Sequence, residues 1–241
     1  MNTATLLGGG DRVELATVAE SIRAGASALG ISLAPEAPRR LAVYTGLLLE
    51  WNKRVNLIAR GREVEEVIER HILDSLALIA VAPPLGRTLD VGSGAGLPGL
   101  VLWLALVDDL DSGADGSCSP RSGPHLRLLE PNHKRAAFLR AVLRELVPPA
   151  VMVSESRLES LAGERYDLLL SRAAFAPSEW LRRGAELLAP RGRIVVMLAR
   201  RDHEEVCAVA AELELREVAE QRFELPLGKA RRCNLVFANG S

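Results

Sequence analysis

Residues Leu89-Asp90-Val91-Gly92-Ser93-Gly94-Ala95-Gly96-Leu97-Pro98-Gly99 decide how the chain reads. A short strand, Arg87 to Gly92, runs into a glycine-rich turn, and an apolar helix, Leu97 to Val107, leaves it. Pro98 suits the first turn of that helix, where its missing N–H is not needed. Gly94 to Gly99 satisfies the G-x-G-x-x-G pattern, which alone specifies little. So many glycines in one turn weaken a fold unless something must approach the backbone.

Downstream of this turn, strands and helices alternate. Strands are expected at Leu126 to Glu130, Ala150 to Val153, Tyr166 to Ser171 and Gly192 to Leu198, then near Arg216 to Leu225 and Arg232 to Phe237. Helices are expected at Asn132 to Leu146, with an Asn cap, at Pro177 to Leu188 and at Asp202 to Leu213. Tyr166 to Ser171 has the apolar core of a strand buried on both faces. Asp108 to Pro124, rich in Asp, Gly, Ser and Pro, is expected to be a mobile, dispensable loop. Upstream, residues 1–10 read as a frayed end, and 11–29, 36–51 and 62–80 as helices. Leu41, Tyr44, Leu48 and Trp51 form one stripe; Val64, Ile68, Ile72, Leu76 and Ile79 form another. The expected fold is α/β: a Rossmann-like, doubly wound, mostly parallel sheet (83–241) with an N-terminal helical segment (1–82) packed on it.

Composition permits this. The 241 residues are 48% hydrophobic and 25% charged, enough for a sizeable core, with aromatics at only 4%. No apolar run reaches the ~20 residues of a membrane span, and the start lacks a signal-peptide layout. Cys118, Cys207 and Cys233 are far apart with no metal-type spacing. A cytoplasmic protein with no metal and no membrane partner is expected, with a monomer the simplest form. The net charge of −1 disfavours a generic nucleic-acid binder, so RNA would have to meet local basic patches.

Asp90 narrows the ligand. A carboxylate beside a dinucleotide turn would repel a pyrophosphate, whereas S-adenosylmethionine carries no phosphate but a sulfonium and an ammonium. Glu130, ending the next strand, stands where an acid holds ribose hydroxyls in such sheets. The gap from Asp90 exceeds the usual ~20 residues, and the stretch Asp108 to Pro124 accounts for the excess.

Several stretches together resemble the RsmG (GidB) family of bacterial methyltransferases of a guanine N7 in small-subunit ribosomal RNA. They are Trp51-Asn52-Lys53 with Asn56-Leu57, Arg70-His71-Ile72-Leu73-Asp74-Ser75-Leu76, Asp90 to Gly99, Lys134-Arg135 with Phe138-Leu139, and Ser171-Arg172-Ala173. The chain departs from the family pattern at Met197-Leu198-Ala199-Arg200, at Arg231-Arg232-Cys233-Asn234 and at Glu130-Pro131. The resemblance implies a Rossmann-like methyltransferase with S-adenosyl-L-methionine as cofactor and ribosomal RNA or the small subunit as partner. With the residue reading, it places the cofactor at Asp90, Gly92, Gly94, Gly96, Leu97, Glu130, Leu158, Glu159 and Arg172.

Guanine N7 has a free lone pair, so no general base is required, and none is assigned. Arg172, His71 and Asp74 are the positioning candidates. Lys53, Arg54, Lys134, Arg135, Arg231 and Arg232 are the expected RNA contacts; Lys134 and Arg135 occupy a helix first turn, where the dipole disfavours cations. Three other readings stay open: a nicotinamide oxidoreductase, a methyltransferase of another RNA, a protein or a small molecule, and a non-catalytic RNA-binding relative.

Overall fold

The computed structural model describes residues 14–59, 63–84, 86–111, 125–146, 148, 150–198 and 203–240, with backbone only at 107–111. Two helices, α1 (Leu15–Ala28) and α2 (Ala37–Asn52), open it. One helical run follows, made of α3 (Val64–Val67), a π-helical stretch (Ile68–Leu73), α4 (Asp74–Leu76) and a 3-10 turn (Ala77–Ala80). Then come β1 (Arg87–Val91), α5 (Gly99–Asp111), β2 (His125–Leu129), α6 (His133–Leu146), β3 (Val151–Ser154) and a 3-10 turn (Leu158–Leu161). The chain closes with β4 (Tyr166–Ser171), α7 (Pro177–Ala185), β5 (Leu188–Leu198), α8 (His203–Glu212), β6 (Leu215–Glu224) and β7 (Arg231–Asn239).

The seven strands form one sheet in the order β3-β2-β1-β4-β5-β7-β6. β1 to β5 run parallel, and β7 is antiparallel to both neighbours. The doubly wound, mostly parallel sheet is the one the alternating pattern predicts. Leu168, Leu169 and Leu170 of β4 are fully buried, as a central strand covered on both faces requires.

The apolar stripes sort the helices onto faces. Leu41, Tyr44 and Leu48 of α2 share a core with Leu100, Trp103 and Leu104 of α5 and with Phe138, Leu139 and Val142 of α6. The Trp51 ring meets Phe138 edge-on at 5.8 Å. A second core joins Trp180 and Leu181 of α7 and Val206 and Val209 of α8 to Leu89, Val91, Leu169, Ile194 and Val196.

Several boundaries differ from expectation. Helix α5 starts at Gly99, so Pro98 lies just before it. The helix runs through Asp111, taking in the first residues of the expected loop; 112–124 lie outside the described residues, as do residues 1–10. α7 stops at Ala185, and β5 begins at Leu188 rather than Gly192. Ala189 to Arg191, expected to lie between helix and strand, instead form a bulge inside the strand with Gly192. The ladder jumps from Tyr166–Leu188 to Leu168–Arg193 across it.

The π-helical stretch has no signature in the apolar period. It lies where three polar side chains leave the helical run for the far half of the sheet. One is Glu69, buried, whose Oε1 accepts the backbone N–H of Leu227 at 2.5 Å and of Gly228 at 2.6 Å in the β6–β7 turn. Replacing Glu69 by Ala leaves both N–H groups without their acceptor. We expect a loss of about 1–3 kcal/mol, read from urea denaturation midpoints. Glu69→Gln, which keeps the accepting oxygen, should lose clearly less. Equal losses would show that the carboxylate charge, not the accepting oxygen, holds the turn.

Candidate active site

Strand order reverses between β1 and β4, and a cleft of about 700 Å³ opens at the carboxyl ends of these strands. Ligands of open α/β sheets bind at this point. Its walls include Gly92, Gly94, Leu97, Glu130, Leu158, Glu159 and Arg172, together with His71 and Arg135. Expected residues from five separate segments thus converge on one cavity.

The glycine turn forms its floor. Gly92 has φ +66°, and a Cβ there would stand 2.5 Å from the Ala174 Cβ, so only glycine lets the β1 and β4 ends approach. Gly94 donates its N–H to Glu130 Oε2 at 2.8 Å, while Glu130 Oε1 accepts from Asn132 N at 2.8 Å. One buried carboxylate therefore ties the turn to the entry of α6, where Asn132 Oδ1 caps the N–H groups of Lys134 and Arg135 as expected. Its remaining lone pairs leave Glu130 able to accept ligand hydroxyls. Below the turn, the buried Tyr44 hydroxyl donates to Ala95 O at 2.7 Å.

Asp90 and Gly96, expected at the ligand, do not line the cleft. Asp90 lies fully buried beneath the turn, its Oδ2 accepting from Gly99 N at 3.0 Å. Its Oδ1 has no hydrogen-bond partner among the described residues. Burial pushes its carboxyl up to about 7, against the Gly99 hydrogen bond and the Arg172 charge, while Glu130 adds to the rise. Gly96 serves packing: a Cβ there would come within 3.1 Å of Leu100 on α5 and Leu139 on α6.

Arg172 projects from the end of β4 into the cleft. Its Nη2 donates to His71 Nδ1 at 3.0 Å and its Nη1 to Arg70 O at 3.2 Å. Asp74 lies behind, 3.6 Å from Arg172 Nη1, and accepts from Arg232 Nε at 3.1 Å. Burial raises the Asp74 carboxyl, and the two guanidinium groups oppose that rise. Burial also lowers the Arg172 guanidinium, with Asp74 opposing. Of the three positioning candidates, His71 and Arg172 face the cleft and Asp74 supports them from within.

The expected basic contacts divide. Arg135 lines the cleft and Lys134 is exposed beside it. Lys53 and Arg54 are exposed at the end of α2, Lys53 paired with Glu50 at 2.6 Å. Arg231 and Arg232 lie elsewhere, on a second cavity of about 460 Å³ with Phe223. The Asp74 bridge connects this cavity to the first. Ala199 and Arg200, in a departing stretch, lie outside the described residues.

Sequence reasoning missed Leu57, Ile58, Arg157 and Phe175, all on the cleft wall. Leu57 and Ile58 are held by Asn52 Oδ1, which accepts both their N–H groups at 2.9 and 3.0 Å. An Asn at a helix end before an apolar pair is a readable signal for this loop. Phe175, stacked on Trp180 with 6° between the planes, has no local signature.

The cleft suits a ligand with a ribose and cationic groups. It offers glycine backbone for close approach, one hydroxyl-accepting carboxylate and an apolar wall at Leu158, over a buried acid. S-adenosylmethionine meets each of these requirements.

Comparison with known proteins agrees. Among solved structures, the tRNA methyltransferase TrmK of B. subtilis matches with TM-score 0.53 at 12% identity, over 72% of this chain and 67% of its own. The ribosomal protein L11 methylase of Lactobacillus delbrueckii subsp. bulgaricus matches with TM-score 0.52 at 11% identity, over 71% and 79%. At such identities the likeness is one of fold. Two sequence relatives are named ribosomal RNA small subunit methyltransferase G. That of Myxococcus xanthus (strain DK1622) is 34% identical over 91% of this chain and 96% of its own length. That of Stenotrophomonas maltophilia (strain K279a) is 36% identical over 84% and 87%. The family model described as rRNA small subunit methyltransferase G matches residues 38–234. By this match, and by a cleft built from the same stretches, the chain belongs to the rRNA small subunit methyltransferase G (GidB) family.

Proposed function

We propose that this chain is an S-adenosyl-L-methionine-dependent methyltransferase that modifies N7 of a guanine in small-subunit (16S) ribosomal RNA in the cytoplasm. The observation that carries the reading is the convergence of the glycine turn, Glu130 and Arg172 on one cleft at the strand-order reversal, in a member of this family. No described helix is long and apolar enough to cross a membrane.

The cofactor supplies an electrophilic methyl group on a sulfonium. Gly92, Gly94 and Leu97 would hold its methionine part against backbone, Glu130 its ribose hydroxyls, and Leu158 and Glu159 its adenine. Guanine N7 needs no deprotonation, so the residues' work is to hold N7 in line with methyl and sulfur and to exclude water. Arg172, fixed by His71, Asp74 and the Arg70 carbonyl, would position the base beside the methyl. The nucleotide must be unstacked to enter, since N7 in an A-form helix lies in a deep, narrow groove. Lys134, Arg135, Lys53 and Arg54 would meet the phosphates near the cleft, and Arg231 and Arg232 those that reach the second cavity.

Asp90 makes cofactor binding depend on pH. Its native carboxyl, at about 7, stands above the ordinary 3.8. Between these values the native state binds more protons than the unfolded one, so stability of the free protein falls as pH rises through that window and levels off above about 7. A bound cation favours ionised Asp90. Affinity for S-adenosylmethionine should therefore increase as pH rises through 7, with proton release on binding. Calorimetry in buffers of differing ionisation enthalpy reads this, and Asp90→Asn should abolish it. A pH response that persists in Asp90→Asn would remove Asp90 from the account.

The RNA-facing residues are separable from the cofactor site. Lys134→Ala should weaken RNA binding and flatten its salt dependence by about one unit of log–log slope. Cofactor affinity should be unchanged. Arg172→Ala should lower methyl transfer at saturating RNA, on the order of 10²-fold if the base is misplaced by about 1 Å. Methyl transfer into 16S RNA from a strain lacking this protein, followed by mapping of the modified base, tests the whole proposal. Transfer to another base, or none, would overturn it.

A further inference from the structure

Away from the cleft, α8 and the edge strand β6 bring together three side chains of metal-binding chemistry. His203 and Cys207 are one helical turn apart on α8, so they share a face. Glu217 stands opposite on β6. His203 Nδ1 lies 3.8 Å from Cys207 Sγ, and Cys207 Sγ lies 3.9 Å from Glu217 Oε2. The ligand atoms all lie within 4.8 Å of one another. Around a tetrahedral zinc ion, nitrogen, sulfur and oxygen ligands sit about 3.3–3.6 Å apart. The two thiol separations need only a small contraction, which a rotamer change of the exposed Glu217 can supply on one side and small side-chain rotations of His203 and Cys207 on the other.

A carboxylate stands on the other side of the imidazole, and the buried His203 Nε2 has no hydrogen-bond partner among the described residues. His203 Nε2 lies 3.7 Å from Glu220 Oε1. A sub-ångström approach of that carboxylate on metal binding would hold the proton on Nε2 and leave the Nδ1 lone pair toward Cys207 and Glu217. Glu220 is itself ion-paired with Arg222 and accepts from Cys233 Sγ at 3.6 Å. Burial, with Glu217 and Glu220 beside it, holds the Cys207 thiol protonated and above its ordinary range.

We propose that His203, Cys207 and Glu217 bind one divalent transition-metal ion, zinc by the chemistry of the set. A water completes the tetrahedron, and Glu220 orients the imidazole from outside. On binding, the Cys207 S–H bond breaks, its proton goes to solvent, and the thiolate donates to the ion. Thiolate and carboxylate then neutralise the two positive charges, with a neutral imidazole as third ligand. The ion cross-links α8 to β6, which among the described residues pairs with β7 alone. The spacing of the cysteines along the chain conceals this, because the ligands come from two elements. The site is independent of the methyltransferase reading.

The test uses the full chain and two probes. Zn²⁺ should bind with one-to-one stoichiometry, release a proton and raise the melting temperature. Co²⁺ should give a thiolate-to-metal charge-transfer band. Both signals should vanish in Cys207→Ser and in His203→Ala, and survive in a Cys118→Ser/Cys233→Ser variant. Glu220→Gln should weaken Zn²⁺ affinity by about tenfold while leaving the band. Absence of the cobalt band in the folded parent, or its persistence in Cys207→Ser, would overturn the site. S-adenosylmethionine binding by each variant, measured alongside, confirms that it is folded.

Discussion

The reversal of strand order between β1 and β4 is the constraint on which the rest depends. Parallel strands on either side of it are wound in opposite directions, so α5, after β1, packs on one face and α7, after β4, on the other. The two chain segments leaving the strand ends diverge, and neither can cover the gap. Everything at the cleft follows from that gap. Gly92 lets the two strand ends close to contact, Glu130 bridges the turn to the next helix, and Arg172 enters from the β4 side. A helix placed over the reversal would fill the site and leave the glycine turn without purpose.

The N-terminal helical run takes part in this site because its polar residues are bound across the sheet. Glu69 accepts from the β6–β7 turn, His71 accepts from Arg172, and Asp74 lies between Arg172 and Arg232. Desolvating one carboxylate and two guanidinium groups is costly, and such groupings are weak evidence for stability by themselves. Their value here is geometric: Arg172 is held at the cleft wall from three directions. The same bridge links the cleft to the cavity lined by Arg231, Arg232 and Phe223. Asp90 works differently, as a buried acid beneath the turn.

Much of the fold was legible because it rests on local rules. Alternating apolar runs and turn residues located all seven strands, and helical periodicity located the stripes of α2 and of the run from Val64 to Ala80. Asn132 announced the start of α6 through its capping chemistry. Where local signals compete, the reading slipped. Pro190-Arg191-Gly192 carries turn residues, yet the ladder with β4 absorbs them as a bulge, because pairing on either side fixes the register. Pro98 lies just outside its helix, and α5 runs on to Asp111.

The sequence by itself determined the sheet, the glycine turn and several of the residues that reach the cleft, among them Gly92, Glu130 and Arg172, since each follows from periodicity, backbone freedom or a motif within about a dozen positions. Only the tertiary structure decided which side chains touch. It placed Asp90 beneath the turn and Gly96 against α5 and α6, both off the cleft wall, because β1, the turn and the helices pack too closely there to leave a cavity. It brought Asp74 to Arg172 and Arg232, Asn52 to the cleft wall through Leu57 and Ile58, and His203 and Cys207 to Glu217. The longest of these contacts span 98 to 158 residues. Partners that distant are selected by how helices seat on the sheet, and no local pattern of residues records that.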